Sequence, residues 1–308
     1  MNAIEIASEH RFRVGHRSTV TEFMPWLLAR LSRSIPFVRK LFSGKVKIQS
    51  QDLVVKDDGN STTTTSTTTE NTKVVPFSCL TLDLPDMPLF KDAEGGNVIP
   101  QEPLPNVLRK FDGKRPTDML FQKKRNFYIL ERLPKYLVLC LKRFKKNNFS
   151  VEKNSTIVNF PLRNLDMREY VDSSKLKIPY LPNDSELNAM SVKRLRKVLA
   201  RAKISHEDVV ERSELVRRAK GVIQEVRNKY VTKYDLVSNV VHDIGTTEDI
   251  VDGADPIQVG TYHVNVYHQG SDQWYDIEDL HVKEMMPQQI GMSESNLLIY
   301  RRRDSSEL

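Results

Sequence analysis

The residues of this chain that could act as a nucleophile are two cysteines, Cys79 and Cys140. A thiol attacks only after it loses its proton, which requires a nearby base such as histidine, held in position by a carboxylate or an amide. Cys140 lies in the apolar run 133–144, and Cys79 lies in the alternating run 77–84. Both runs are typical of buried strands. We therefore interpret both cysteines as small buried hydrophobic residues rather than as nucleophiles.

A second group of chemically capable residues lies near the C-terminus, where Gly260-Thr261-Tyr262 is followed by Trp274-Tyr275-Asp276-Ile277-Glu278-Asp279. This segment resembles the C-terminal catalytic box of the ubiquitin-specific proteases, a family of cysteine proteases. In that family the box begins Gly-His-Tyr, and an Asp or Asn further along orients the histidine. The resemblance places Thr261 at the position of the histidine and Glu278 at the orienting position. Because a threonine hydroxyl is not basic near neutral pH, it cannot activate a thiol.

Three histidines lie close enough to this box to be considered as a replacement base. We predict that strand alternation turns His263 and His268 away from the face of Thr261. His242 lies in the sequence Val-Val-His-Asp, where active relatives often carry a histidine that is not the base. These residues favour a chain that is not an enzyme. The alternatives are a ubiquitin-binding pseudoenzyme and an active cysteine-type deubiquitinase whose nucleophile lies outside this chain.

Further matches to the family lie in the middle of the sequence. The run Cys140-Leu-Lys142-Arg143-Phe144 is similar to a Leu-Lys-Arg-Phe box that is structural in the family. The resemblance implies structural roles for Gly260, Tyr262, Trp274, Asp279, Cys140, Lys142, Arg143 and Phe144. The longest local match, 144–170, resembles one branch of the family, the catalytically inactive proteins associated with the spliceosomal tri-snRNP. That branch implies a scaffold in pre-mRNA splicing that supports assembly or stability of the U4/U6.U5 tri-snRNP and contacts U5 and tri-snRNP proteins.

Two features of the family have no counterpart in these residues. Members of the branch carry an N-terminal zinc-finger ubiquitin-binding module and first thumb helices, so we expect a fragment or an N-terminally shortened member. Active family members often carry a zinc ribbon made of two Cys-x-x-Cys pairs, and a structural zinc needs four ligands. Because this sequence has no Cys-x-x-Cys pair, we expect no metal and no cofactor.

The composition restricts the compartment and the class of protein. A hydrophobic content of 39% and a charged content of 28% fit a globular protein with solvated loops. No apolar stretch approaches the roughly eighteen residues that a membrane helix needs, so we expect no membrane partner. Two cysteines in strand-like runs argue against a disulfide framework and favour a reducing compartment. The resemblance to splicing proteins favours the nucleus.

The predicted elements have an α+β order, with an early helical lobe followed by an antiparallel sheet. The resemblance implies the papain-like fold of the ubiquitin-specific proteases, with a truncated helical thumb, an antiparallel sheet palm and reduced fingers without zinc. We expect this pseudoprotease domain over 1–170 and 231–308, with short helices at 106–111 and 118–125. The predicted strands are 77–84, 136–144, 156–160, 234–242, 261–268 and 296–301. The Thr-rich segment 55–73 lacks large apolar residues, which predicts a disordered loop.

The segment 171–230 interrupts this pattern with an inserted basic helical hairpin. Apolar residues recur at helical spacing over 191–202 and 213–226, which predicts two amphipathic helices similar to a SAP-like module. Between 190 and 230 there are twelve Lys or Arg and five Asp or Glu, so this segment carries the whole net charge of +7. Clustered cations favour RNA backbone or an acidic protein as partner, with a solvated hairpin as the alternative. The residues expected to make such contacts are Lys193, Arg194, Arg196, Lys197, Arg201, Arg217, Arg218 and Lys220.

Overall fold

The computed structural model describes residues 2–304 except for 58–61, 87–98, 120–123, 148–149, 177–180, 203, 206–208, 210, 229 and 245–254. The α-helices in these residues are α1 (Asn2–Ala7), α2 (Val20–Ser34), α3 (Pro36–Phe42), α4 (Leu104–Leu108), α5 (Asp184–Ala189), α6 (Val192–Arg201), α7 (Arg212–Asn228) and α8 (Pro287–Ile290). The first strands are β1 (Gly44–Asp57), β2 (Thr62–Phe77), β3 (Leu80–Asp83), β4 (Gln101–Pro103), β5 (Thr117–Met119), β6 (Lys124–Arg132), β7 (Tyr136–Lys142) and β8 (Phe144–Lys146). The later strands are β9 (Val151–Lys153), β10 (Ile157–Asn159), β11 (Leu165–Asp166), β12 (Lys233–Asp243), β13 (Thr261–His268), β14 (Gln273–Glu278), β15 (His281–Met285) and β16 (Ser295–Arg302).

The largest unit is a sheet with the strand order β15-β14-β13-β12-β16-β7-β3, which we call the central sheet. The short strand β11 pairs with β12 beside this path. Neighbouring strands are antiparallel except for β3 and β7, which are parallel. The central sheet brings the strands predicted at 136–144, 234–242, 261–268 and 296–301 together side by side.

The two faces of the central sheet carry separate apolar cores, because successive side chains of a strand point to opposite faces. On β7, Leu139 lies in the larger core, which also contains Leu298 and Tyr300. The next residue, Cys140, lies on the other face, where Leu28 of α2 packs against the sheet. Coverage on both faces explains why β7 reads as a continuous apolar run.

A second sheet, with the order β2-β1-β6-β5, contains a long hairpin formed by β1 and β2. The prediction of a disordered loop over 55–73 differs from the structure, because β2 begins at Thr62 and its backbone pairs with β1. Threonine is β-branched and favours extended backbone, and strand pairing needs backbone partners rather than large apolar side chains. Residues 58–61 lie outside the described part of the chain.

The short helices predicted before the central sheet have different outcomes. The first is present as α4 followed by a 3-10 turn at Arg109–Phe111. The helix predicted at 118–125 is wrong, because Thr117–Met119 and Lys124–Arg132 are antiparallel strands, with 120–123 outside the described residues. The strand Lys124–Arg132 completes its sheet by pairing with β1, a long-range contact that the local sequence does not reveal.

The helices α5, α6 and α7 form a separate small core within the inserted segment. Its buried members are Leu187, Leu195, Leu199, Val209, Leu215, Val216, Ala219, Val222 and Ile223. Helices α6 and α7 coincide with the two predicted amphipathic helices, whereas α5 was not predicted from the sequence. Helix α5 begins with a capping box in which Asn183 and Glu186 satisfy each other's backbone amides.

Candidate functional site

Thr261 and Glu278 are hydrogen-bonded to each other at the open end of the β13–β14 hairpin. The hydroxyl of Thr261 donates to Oε1 of Glu278 over 2.8 Å, and both side chains are exposed. The two strands pair antiparallel, with Val264 opposite Ile277, and this register brings Thr261 and Glu278 into diagonal contact. The pair therefore contains a donor hydroxyl and a carboxylate, and it contains no group able to accept a thiol proton efficiently at neutral pH.

The backbone before Thr261 is held in a conformation that favours glycine. Gly260 has φ of +86°, and a Cβ atom there would lie 2.1 Å from the backbone oxygen of Asp243. The guanidinium of Arg17 donates to the carbonyl oxygens of Gln258 and Gly260 over 2.9 and 2.6 Å. These contacts fix the position at which β13 begins, so Thr261 lies at a defined place in the fold.

A histidine–carboxylate pair lies immediately beside Thr261 and was missed in the sequence analysis. Nδ1 of His263 lies 2.6 Å from Oδ1 of Asp276. The prediction that His263 faces away from Thr261 is wrong, because residues two apart in a strand share a face. The signal was in the sequence: His263 and Asp276 continue the alternation that relates Thr261 to Glu278.

The His263–Asp276 pair continues into a hydrogen-bonded chain that reaches the interior. The amide of Asn265 donates to Asp276 over 2.8 Å, and Asn239 donates to Asn265 and to Ser293 over 3.0 Å each. Asn239 and Asn265 are fully buried. This chain holds the carboxylate of Asp276 in place, and thereby orients the imidazole of His263 from its Nδ1 side.

The second histidine near the site, His242, is enclosed. Its ring packs edge-on against Tyr262 at 4.7 Å and against Phe144 at 5.4 Å between centroids. Burial, with a smaller contribution from the charge of Lys153, lowers the pKa of His242 to about 4. A neutral, enclosed imidazole serves packing here. The third histidine, His268, lies at the far end of β13 and contacts Ser271.

Neither cysteine approaches the hairpin that carries Thr261. Cys140 lies on β7, three strands away from β13, or about 14 Å at the usual spacing of paired strands. Its side chain is buried in the apolar core beneath α2, with Cys79 packed beside it. A hydrogen bond with Cys140 and burial raise the pKa of the Cys79 thiol well above its usual value. Both thiols therefore lie outside hydrogen-bonding reach of His263 and Thr261.

The remaining residues that the resemblance marks as structural lie in several parts of the fold. The guanidinium of Arg143 is buried and donates to the carbonyl oxygens of Ser295, Asn154 and Thr156 over 2.6 to 2.8 Å, and burial lowers its pKa to about 10. Further contacts are an ion pair of Lys142 with Asp83, packing of Trp274 against Tyr267, and a left-handed backbone at Asp279.

The eight cations predicted to contact RNA or an acidic partner divide into two groups. Four of them are engaged inside the chain: Arg196 with the carbonyl of Val209, Arg217 and Arg218 with Glu214, and Lys220 with Asp184. The other four are exposed on α6: Lys193, Arg194, Lys197 and Arg201.

Metal ligands and membrane-spanning helices are both absent from the part of the chain that the structure describes. Within it, no three His, Cys, Asp or Glu side chains are grouped so as to hold a metal ion. The helices among these residues are all too short or too polar to cross a membrane.

The model of the family described as ubiquitin carboxyl-terminal hydrolase matches residues 2–300. The chain belongs to this family. A family member from Pongo abelii, ubiquitin carboxyl-terminal hydrolase 39, is 31% identical over 100% of this chain and 46% of its own length. A Schizosaccharomyces pombe relative described as "Probable mRNA-splicing protein ubp10" is 27% identical over 97% of this chain and 51% of its own length. The chain thus spans about half the length of these relatives.

A solved structure shows the same fold. The crystal structure of an essential yeast splicing factor superposes with a TM-score of 0.55 at 19% identity, over 98% of this chain and 53% of that one. The family match and this superposition confirm the prediction of a ubiquitin-specific-protease fold with mixed α and β elements and antiparallel sheets.

Proposed function

We propose that this chain is a non-catalytic member of the ubiquitin carboxyl-terminal hydrolase family that acts as a scaffold in pre-mRNA splicing. The observation that carries the proposal is the hydrogen-bonded Thr261–Glu278 pair at the place where the family's catalytic box has its base and orienting residue. The scaffold supports assembly or stability of the U4/U6.U5 tri-snRNP in the nucleus through contacts with U5 and tri-snRNP proteins.

The chemistry of the site supports the absence of hydrolysis. Cysteine-type hydrolysis needs a thiol, a base within hydrogen-bond reach and an orienter for that base. Thr261 provides no base, and the loss of a triad base alone typically costs roughly 10⁴- to 10⁶-fold in rate. The oriented imidazole of His263 does not replace it, because both thiols of the chain lie elsewhere in the fold.

The relatives support the place of this scaffold in splicing. The similarity to the fission yeast protein described as a probable mRNA-splicing protein extends over 97% of this chain. A similarity along almost the whole chain is consistent with a scaffold, whose role depends on contacts rather than on one reactive group.

The test is affinity purification from nuclear extract with the tagged chain. We expect U5 and tri-snRNP proteins among the bound proteins identified by mass spectrometry. The matched control is Leu298→Asp, which places a carboxylate in the fully buried centre of β16 and should abolish specific recovery together with the fold. Recovery of ubiquitin-pathway proteins without splicing factors would contradict the proposal and favour a ubiquitin-binding role.

A further inference from the structure

Helix α6 presents a continuous row of cations to solvent. Its inner face is anchored by Leu195 and Leu199, which are fully buried in the core of the inserted segment. Lys193, Lys197 and Arg201 follow one another at intervals of four residues, so they lie on the face opposite Leu195 and span about 12 Å. Arg194 lies beside them, and we call these four residues the α6 basic row.

Three cations of the neighbouring helix α7 are paired with carboxylates. Glu214 accepts hydrogen bonds from Arg217 and Arg218 over 2.7 to 2.9 Å, and Lys220 lies 3.0 Å from Asp184. In contrast, the described residues include no ion pair with any member of the α6 basic row. The four members of the α6 basic row thus lie together on the exposed side of one helix without a carboxylate partner among the described residues.

The stability of α6 does not account for this row. The helix contains five Lys or Arg and no Asp or Glu. Like charges four residues apart destabilise a helix, and Lys193 and Arg194 lie in the first turn, where the helix dipole disfavours cations. An anionic ligand that faces the row would offset both effects.

We infer that the α6 basic row binds the phosphate backbone of RNA. Lysine is depleted in protein–protein interfaces, which rely on aromatic and apolar anchors, whereas nucleic-acid interfaces are polar and strongly positive. Two of the four members of the row are lysines. The choice of RNA over DNA rests on the proposed function in splicing. Binding through phosphates reads no base sequence, so α6 acts as a sequence-independent contact.

The row is preorganised for this contact. The side chains of α6 project from a helix whose inner face is packed against α5 and α7, and the capping box at Asn183 and Glu186 fixes the start of α5. A ligand therefore meets cations on a formed helix and does not have to order the backbone. This lowers the entropic cost of binding.

The test measures binding of the full chain to labelled single-stranded RNA of mixed sequence by fluorescence anisotropy. With four phosphate contacts, the logarithm of affinity should fall with the logarithm of salt concentration with a slope of about −3, or roughly 50-fold between about 50 and 200 mM NaCl. The double variants Lys193→Gln/Lys197→Gln and Arg194→Gln/Arg201→Gln should each reduce the slope by about 1.4 and lower the affinity several-fold at low salt.

The matched control is Arg217→Gln/Lys220→Gln on α7, which removes the same charge from the same segment. We expect its affinity to remain within about twofold of the parent chain and its salt slope to be unchanged. Equal losses for the α6 and α7 variants would overturn the inference, as would binding that ignores salt. Circular dichroism checks that each variant keeps its helices.

Two further ligands complete the test. Single-stranded DNA of the same length should bind through the same row. Preference of the row for polyglutamate over RNA would overturn the inference in favour of an acidic protein partner. The α6 variants should still recover splicing proteins from nuclear extract. If the parent chain recovers splicing proteins but does not bind RNA, only this inference is overturned. If the parent chain does not recover splicing proteins, the proposed function is overturned.

Discussion

Two diagonal pairs on one face of the β13–β14 hairpin define the site at the scale of residues. Thr261 is hydrogen-bonded to Glu278. His263 is hydrogen-bonded to Asp276, and this pair lies two residues further along each strand. The second pair has an imidazole oriented by a carboxylate, which are two of the three groups of a catalytic triad. The hairpin lacks a thiol within reach, since Cys140 lies on β7 and Cys79 lies between β2 and β3.

Restoring the family's histidine should not restore activity. We expect Thr261→His to leave the chain unable to cleave a fluorogenic ubiquitin substrate, because an imidazole at 261 still has no thiol to deprotonate. The measurement is release of the fluorophore from the ubiquitin C-terminus, with the parent chain as the matched control. Cleavage that disappears in Cys140→Ser or Cys79→Ser would show that a thiol of this chain does reach the site.

Acid should destabilise the chain through His242. Unfolded His242 binds a proton with a pKa near 6.5, whereas the folded chain binds it only near pH 4. Between these pH values the unfolded state binds more protons than the folded state. The stability that the neutral His242 contributes is therefore fully present above about pH 6.5 and is lost as the pH falls towards 4. We expect a lower urea midpoint at about pH 5 than at about pH 7.5, and a smaller difference in His242→Phe.

The matched control for this prediction is His268→Phe on the exposed end of the hairpin. His268 is exposed, although it contacts Ser271 and the edge of the Tyr275 ring, so its replacement should leave the pH difference as in the parent chain. An identical pH difference in His242→Phe and the parent would show that other groups control the acid sensitivity.

At the scale of elements, the strands available for pairing determined the secondary structure of two segments whose local sequence did not predict it. The Thr-rich stretch forms β2 because its backbone pairs antiparallel with β1, with one register shift between Gln51 and Leu53. Residues 117–119 and 124–132 form strands because Lys124–Arg132 pairs with β1 on its other side. In each case the backbone partner lies far away in sequence, so a window along the chain contains only part of the information.

Two glycines in different elements should respond oppositely to alanine. Gly260→Ala should destabilise the chain by about 2 kcal/mol or more, because φ is positive and the new Cβ would meet backbone atoms of Asp243. Gly221 lies inside α7, and an added methyl group there would meet no atom within 4 Å beyond the neighbouring residues and backbone of its own helix, so Gly221→Ala should stabilise by about 0.5–1 kcal/mol. Urea unfolding measures both changes. A loss of stability in Gly221→Ala would show that the methyl group disturbs the packing of α7.

At the scale of the whole molecule, the inserted segment is a compact module on the protease-like fold. Its core draws only on residues between 181 and 226. The chain enters and leaves it at one place, since Leu176 and Tyr230 line the same cleft beside β6. An ion pair over 2.8 Å between Glu225 of α7 and Lys40 of α3 connects the module to the rest of the fold.

Replacing residues 181–228 with a short Gly-Ser linker should leave the central sheet folded. The two ends of the segment are close together, so a flexible linker closes the gap at low entropic cost. Hydrogen exchange should show unchanged protection of β7, β12 and β16. The control is Leu195→Asp, which unfolds the module core within the intact chain and should likewise spare the sheet. Loss of protection in both variants would show that the sheet depends on the module.

Periodicity along the chain was sufficient to predict part of the fold. Apolar patterns predicted β7, β12, β13 and β16 of the central sheet but not β14 and β15, and the order of the strands after a helical lobe predicted the fold class. The spacing around Leu195 and Leu215 predicted α6 and α7. The resemblance to the family's catalytic box predicted a missing base at Thr261, because a threonine hydroxyl is not basic in any fold.

Tertiary structure decided which side chains meet. The twelve basic residues between 190 and 230 are not distinguished by the sequence, and only the fold pairs Arg217, Arg218 and Lys220 with carboxylates while it leaves the α6 basic row exposed. The fold also places Cys140 three strands from His263. The spacing of apolar residues follows from the local geometry of a helix or a strand. Ion pairs, and contacts between a thiol and a base, depend instead on distances between residues far apart in the chain.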